Sequence, residues 1–262
     1  MEYIVIAVVA LFVAGLTFFS GFGLGTLLMP AFALFFPIEV AIAATAIVHF
    51  VNNIYKFILI GKEGNLRVIL TFGIPALIAA AGGAYILDYV SRIEGLIQYT
   101  MFGYELTVTP VKLLIAILMM IFAYFELAPN LKSFDVTSKW IPVGGVLSGF
   151  FGGLSGHQGA LRSAFLIRAG LAKKEFIGTV VGCSLLVDIT RITVYGFTFF
   201  KTDFAILEET GLLGLLIAGS IAAFIGSTIG RYLIEKVTFK SIQYTVATML
   251  FLLAIGLGMG VL

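Results

Sequence analysis

Long apolar runs separated by short polar stretches make up most of the chain. There are eight such runs, covering residues 4–36, 40–60, 68–90, 109–127, 141–171, 175–200, 211–234 and 242–262. A helix needs about 20 residues to cross a hydrocarbon core about 30 Å thick, so six of the runs predict single membrane spans. The runs 4–36 and 141–171 are too long, because a straight helix over the first would measure about 50 Å.

Glycine clusters interrupt both long runs near the middle. The sequence GFGLG occupies 21–25, and GGLSGHQG occupies 152–159. Each glycine destabilises a helix by about 1 kcal/mol relative to alanine, so both clusters predict unwound backbone. Unwound backbone at membrane depth is tolerated only where protein or a watery cavity satisfies its polar groups. We therefore expect the breaks to lie inside the protein, at a site. The alternative is that the glycines serve close packing between helices.

The two halves of the chain follow the same plan. An offset of 134 residues aligns Gly25 with Gly159, and a later offset of 147 aligns Gly83 with Gly230. Repeated segments of this kind indicate an internal duplication. The predicted units are a first transmembrane repeat over 1–127, a cytoplasmic linker over 128–139 and a second transmembrane repeat over 140–262.

Composition places the chain in the membrane. Hydrophobic residues make up 60% of it, charged residues 11%, and the mean hydropathy is +1.11. A soluble domain carries about 25% charged residues, so this chain predicts an all-α polytopic membrane protein. The net charge of +2 gives no support for a nucleic-acid surface. A single cysteine, Cys183, excludes an internal disulfide and a CxxC redox pair.

The distribution of cations predicts the topology. If each broken run enters to mid-depth and returns, eleven of the Lys and Arg residues in the connections fall on one side and three on the other. The positive-inside rule then places both termini outside the cell and makes the two repeats inverted. If the broken runs cross fully, the split is six against eight and the repeats are parallel. Inverted repeats are favoured, and the parallel alternative stays open.

Hydrogen-bond donors surround the second break. Arg162 follows it closely, and the helix that begins near Gly159 presents free N–H groups and the positive end of its dipole. No carboxylate accompanies them, so the local field favours an anion. The first break is its symmetry mate and contributes backbone donors. The substrate-binding residues predicted at the two breaks are Gly21, Gly23, Gly25, Thr26, Ser155, Gly156, His157, Gln158, Gly159 and Arg162.

A polar face follows each break on the next helix. His49, Asn52, Asn53 and Lys56 share one face in the first half, as do Ser184, Asp188 and Arg191 in the second. We include His49, Asn52, Asn53, Asp188 and Arg191 in the predicted site. His49 is also the candidate proton carrier, because imidazole titrates near neutral pH. The alternatives are an interhelical hydrogen bond for His49 and a purely structural ion pair for Asp188 with Arg191. We expect Lys56 to snorkel to the cytoplasmic surface.

Metal and catalytic chemistry find little support in the sequence. Two histidines and one cysteine, none at HxxxH or CxxC spacing, do not make a closed metal site. Ser155 and His157 lie close together, but no carboxylate flanks them to orient a catalytic base. We expect a protein that is not an enzyme and that needs no metal and no cofactor.

The glycine-broken segments resemble those of a known family. GLTFFSGFGLGTLLMPAFALFF and GGVLSGFFGGLSGHQGALRSAFLIRAG look like the duplicated signature of the TauE/SafE sulfite and organosulfur-anion exporters. The second half departs from the usual pattern, because Ala164 stands where the first half has Pro30. The resemblance implies export of a small sulfur-containing anion, with sulfite first, across a bacterial or archaeal inner membrane. An anion channel and a carrier for sulfonates or small carboxylates are the alternatives. The expected partners are the anion and membrane lipid, and a homodimer is left open.

Overall fold

The computed structural model describes residues 1–18, 23–101, 103–127, 138–202, 211–233 and 239–261. Within them the chain forms ten α-helices and one antiparallel pair of strands. The helices are α1 (Glu2–Leu16), α2 (Leu24–Ala33), α3 (Ile38–Ile60), α4 (Leu66–Ser91), α5 (Pro110–Leu127), α6 (Ile141–Ser155), α7 (Gly159–Leu166), α8 (Lys173–Thr202), α9 (Leu212–Leu233) and α10 (Phe239–Gly258). The strands are β1 (Ile97–Met101) and β2 (Tyr104–Val108). Gly21, and residues 128–137 of the predicted linker, lie outside the described residues.

The helices are suited to an apolar medium. Four described stretches are long and apolar enough to cross a membrane: Ile38–Glu63, Leu66–Ser91, Lys173–Thr198 and Leu212–Tyr232. Helix α9 also carries an exposed aliphatic side chain at every fourth position, formed by Leu213, Ile217, Ile221, Ile225 and Ile229. A continuous exposed stripe of this kind is rare in water and is normal against lipid. The prediction of a polytopic helical membrane protein is therefore confirmed.

Both long apolar runs are broken where the glycines predict it. In the first, α1 ends at Leu16 and α2 begins at Leu24, after Gly23 with a φ of 118°. In the second, α6 ends at Ser155, and Gly156 has the left-handed φ of 79°. Residues with a Cβ rarely adopt such φ values, so glycine is the residue that permits both breaks.

Glycines also let α6 lie directly on the backbone of α4. A Cβ added at Gly149 would overlap the carbonyl oxygen of Ala76, and one added at Gly153 would overlap that of Ala80. The two helices run in parallel, because both residue numbers rise together along the contact. This is the small-residue packing typical of membrane helices. Gly153 therefore serves close packing between helices, which was the alternative interpretation, whereas Gly156 permits the break in the helix.

The first half shows the reciprocal contact. Helix α1 lies along α9, where a Cβ added at Gly226 would overlap the carbonyl oxygen of Leu11 and one added at Gly230 would overlap that of Gly15. Here too the helices are parallel. The leading helix of each half thus packs against a helix of the other half.

Helices α3 and α8 cross at the centre in opposite directions. His49 meets Asp188, whereas Gly178, near the start of α8, lies against Ile60 at the end of α3. The end of α3 and the start of α8 therefore lie on the same side of the protein. On this side Asn65, which precedes α4, is linked to α8, because its side-chain amide donates to the Glu175 carboxylate at 2.8 Å.

A β-hairpin that the sequence analysis did not predict precedes α5. Strands β1 and β2 pair in register from Ile97 with Val108 to Met101 with Tyr104. The hydroxyl of Tyr99 donates to the carbonyl of Met259 at 2.6 Å, so the hairpin is joined to the end of α10. It lies at the end of the protein opposite the α3–α4 connection, because α4 separates the two.

Candidate functional site

The two glycine breaks meet inside the protein. A Cβ added at Gly25 would lie 3.4 Å from the carbonyl oxygen of Gly156, and one added at Gly156 would lie 3.6 Å from the carbonyl oxygen of Gly25. The backbones of the first and second halves are therefore in direct contact at this point. On one side of the contact, a Cβ added at Gly25 would lie 3.4 Å from the ring of His49. On the other side, a Cβ added at Gly156 would lie 3.2 Å from Arg191 Nη1.

Asp188 is the centre of a buried polar cluster beside this contact. Its Oδ2 accepts hydrogen bonds from His49 Nδ1 at 2.7 Å and from Asn53 Nδ2 at 2.9 Å. Its Oδ1 accepts from Gln158 Nε2 at 3.1 Å and from Arg191 Nε at 3.0 Å. Arg191 Nη2 also lies 2.8 Å from Oδ1, so the guanidinium holds that oxygen with two nitrogens. A fully buried carboxylate requires this degree of compensation.

Arg162 is linked to the cluster through Gln158. Its Nη1 donates to Gln158 Oε1 at 2.8 Å, one turn along α7. The side chain of Arg162 is 1% exposed, and that of Arg191 is fully buried. Helix α7 begins at Gly159, so its first N–H groups lie beside the same break. The second break is therefore surrounded by donors from both side chains and backbone.

Arg191 Nη1 is a buried donor of this cluster that has no acceptor within the part of the chain that the structure describes. A buried donor without an acceptor costs roughly 1–3 kcal/mol, and more when it is charged. A Cβ added at Gly156 would lie 3.2 Å from Arg191 Nη1, so this nitrogen lies beside the glycine contact. An oxyanion at that position would satisfy it.

A small, partly open cavity reaches this cluster. It has about 20 Å³ of space for the centres of water molecules. Its polar lining is formed by Thr17, His49, Asn53, Lys56 and Ser184. It lies between the end of α3 and the start of α8, on the side that carries the exposed Lys62 and Arg67. The cavity therefore opens toward the end of the protein that is rich in cations.

Comparison with known proteins identifies the family. The family model described as "Sulfite exporter TauE/SafE" matches residues 3–257. The chain belongs to the TauE/SafE family. No curated protein and no solved structure gives a significant match. Family membership makes this a multi-pass membrane transporter of the sulfite and organosulfur exporter class.

The TauE/SafE chain brings most of the predicted polar residues together, but not all of them. Asp188 binds His49 and Asn53, and it is linked to the second break by Gln158 and Arg191, as described above. Asn52 instead faces α9, where its Oδ1 accepts from Ser227 Oγ at 2.8 Å. Thr26 is buried in α2.

His157 and Ser155 do not face the Asp188 cluster. The ring of His157 stacks on Phe122 at 5.5 Å between centroids with an interplanar angle of 5°. Its Nδ1 lies 2.9 Å from the carbonyl oxygen of Ser155, and the Ser155 hydroxyl donates to Phe151. Both side chains therefore form contacts within or next to the break. The stacking of His157 on Phe122 could not be predicted from the spacing of residues in the sequence.

The expectation that Lys56 snorkels to the surface is wrong. Its side chain is 6% exposed, and its ammonium lies 5.3 Å from the centroid of the Phe18 ring. It lines the cavity together with His49 and Asn53. The helical face shared with these two residues was the signal that could have included Lys56 in the site.

Among the described residues, no three His, Cys, Asp or Glu side chains are grouped closely enough to hold a metal ion. The clustered chemistry of the site is cationic and hydrogen-bond donating instead. Lys56, Arg162 and Arg191 share it with one described buried carboxylate, Asp188.

Proposed function

We propose that this protein exports sulfite, or a closely related small sulfur oxyanion, from the cytoplasm across the inner membrane of a bacterial or archaeal cell. The observation that carries the proposal is the contact between the two breaks, with Arg191 Nη1 facing it without an acceptor in the described chain. Donors that converge on unwound backbone suit an oxyanion, which accepts several hydrogen bonds at once.

The charge balance of the site supports an anion over a cation. Lys56, Arg162 and Arg191 are buried together with one described carboxylate, Asp188, whose oxygens already accept bonds from four residues. A cation would therefore meet excess positive charge and few free acceptors. An oxyanion would compete with Asp188 for the same donors, so the carboxylate holds the empty site together until substrate arrives.

The directions of the helices support inverted repeats over 1–127 and 140–262. Helices α3 and α8 occupy equivalent places in the two halves and run in opposite directions. Helix α4 runs parallel to α8, since Ile69 meets Gly182 and Gly73 meets Leu186. Full crossing by the broken segments would instead make α3 and α8 parallel. Under the inverted arrangement the cation-rich end, with Lys62 and Arg67, is cytoplasmic.

A carrier with alternating access fits better than a channel. The cavity opens at the cation-rich end only as far as His49 and Asn53. Beyond Asp188 on α8, Tyr195 is fully buried, and its hydroxyl donates to the carbonyl of Gly153. This contact joins α8 to α6 on the far side of the site. A channel would need a continuous wetted path there.

Transport by the purified protein in lipid vesicles tests the proposal. Vesicles loaded with radiolabelled sulfite should release it faster than protein-free vesicles, with saturation, and sulfate, sulfoacetate and acetate should define the substrate range. Arg162→Lys keeps the charge but loses the planar guanidinium, so sulfite efflux should fall about tenfold or more. Arg67→Lys, at an exposed position, is the matched control and should behave like the parent.

Three results would contradict the proposal or a part of it. Efflux of every sulfur oxyanion at the protein-free rate would remove the exporter assignment. Efflux by the Arg162→Lys variant equal to that of the parent would remove Arg162 from the substrate contact. Resolved single-channel current steps in a planar bilayer would show that the anion passes through a channel and would overturn the carrier.

A further inference from the structure

Lys56 is a buried cation whose position the transport site described above does not explain. Its side chain is 6% exposed, yet no acidic side chain lies within 4.0 Å of it in the described chain. The contact recorded for its ammonium is with the face of the Phe18 ring. A cation–π contact is worth about 2 kcal/mol when desolvated, which is less than the several kcal/mol needed to bury an ammonium. Packing alone therefore does not account for this lysine.

The other polar groups of the cavity wall already use their donors within the protein. Thr17 Oγ1 donates to Val13 at 2.6 Å, and Ser184 Oγ donates to Val180 at 2.9 Å. Asn53 Nδ2 and His49 Nδ1 are engaged with Asp188. The ammonium of Lys56 is the cavity-lining donor that remains for a ligand.

We propose that Lys56 forms a separate anion-capture site at the cytoplasmic mouth of the cavity, where a substrate oxyanion binds before it reaches the glycine breaks. This inference rests on the proposed export of a sulfur oxyanion. Lys56 lies two turns of α3 from His49, which is about 10 Å along the helix axis. Lys56 lines the cavity, whereas neither Gly156 nor Arg191 does. The anion would therefore occupy the position at Lys56 first and the position at the glycine breaks second.

The chemistry of lysine suits capture rather than selection. An ammonium is a compact charge without the fixed planar geometry of a guanidinium, so it attracts oxyanions with little regard to shape. Successive weak sites also let an ion enter and leave quickly. We therefore expect Lys56 to set the internal concentration at which efflux is half-saturated and to leave the ranking of substrates unchanged.

Substitution and chemical restoration test the capture site. Lys56→Met keeps an apolar stem of similar length and removes the charge, so the half-saturating sulfite concentration should rise about tenfold or more. Lys56→Arg should stay within about threefold of the parent, since it keeps the charge. Lys62→Met is the matched control, because Lys62 is exposed at the same end of the protein, and its efflux should be unchanged.

Lys56→Cys offers a stricter test. Alkylation with 2-bromoethylamine rebuilds a lysine-like ammonium through a thioether, whereas iodoacetamide adds a neutral group. The amine should restore the half-saturating concentration of the parent, and the neutral adduct should not. The same treatment of the parent, whose Cys183 is buried, controls for other modification.

The results separate failure of the capture site from failure of the proposed function. If Lys56→Met and Lys62→Met have the same half-saturating concentration, or the amine and the amide adducts behave alike, the capture site is wrong while export stands. If the parent moves no sulfur oxyanion, calorimetry with sulfite and sulfate decides. Binding that is weakened by Lys56→Met and not by Lys62→Met supports the site alone, and binding that is equal in all three proteins overturns it.

Discussion

Replacing Asp188 with asparagine should be the most destabilising conservative change in the protein. The substitution keeps the size of the side chain and removes the charge that faces His49 and Arg191. It also leaves a fully buried guanidinium without its ion-pair partner. Breaking a buried pair in this way costs about 3–5 kcal/mol. The expected loss is therefore a large share of the 5–15 kcal/mol by which proteins are typically stable.

The measurement is a thermal unfolding curve in detergent, followed by the fraction of protein that stays monodisperse. For a chain of this size each kcal/mol shifts Tm by roughly 2–4 °C, so Asp188→Asn should lower Tm by about 6–20 °C. Asp88→Asn is the matched control. Asp88 is also buried, but its partner Arg92 is 62% exposed. The guanidinium left unpaired by Asp88→Asn stays in contact with solvent, so the expected loss is about 1 kcal/mol.

A double-mutant cycle shows whether the effect belongs to the pair. Arg191→Gln alone should also destabilise the protein, because it leaves Asp188 less compensated. The double variant should lose about 2 kcal/mol less than the sum of the single losses, since it contains neither unpaired charge. A Tm for Asp188→Asn within about 2 °C of the parent, together with additive losses in the cycle, would refute the reasoning.

Three further predictions concern packing, topology and energetics. Gly149→Ala should sharply reduce the yield of folded protein, because its Cβ would overlap the carbonyl oxygen of Ala76. Gly82→Ala should be neutral or stabilising, since nothing lies within 4 Å of the added carbon. Equal yields of the two variants in a size-exclusion assay would contradict this prediction. In intact cells an impermeant thiol reagent should label Tyr104→Cys and spare Lys62→Cys, and the reverse pattern would overturn the inverted topology. A membrane potential that is negative inside should accelerate sulfite efflux at equal pH, because it adds a driving force of up to about 2.3 kcal/mol per charge per 100 mV. Proton coupling would be indicated instead if the potential had no effect and a pH gradient drove uphill movement of sulfite.

The local features of the fold could be predicted from the sequence. Membrane spans follow from the length of an apolar run, and breaks follow from the low helix propensity of glycine, so both depend on neighbouring residues only. The burial of Arg162 beside the second break could also be predicted from the local sequence. An ionisable residue within an apolar run faces the protein interior or a watery cavity, because its exposure to lipid is costly. The hairpin was not predicted, because its strands are short and β2 directly precedes the apolar helix α5.

The assembly of the site depended on contacts between residues far apart in the chain. Helical periodicity placed His49, Asn53 and Lys56 on one face, but only the crossing of α3 with α8 decided that Asp188 would compensate the first two and leave Lys56 facing the cavity. Likewise, the stacking of His157 on Phe122 depends on how α5 packs against the second break. Periodicity fixes the face of a helix, whereas the partner of that face is chosen by the packing of the whole bundle, where each buried charge must find compensation in three dimensions.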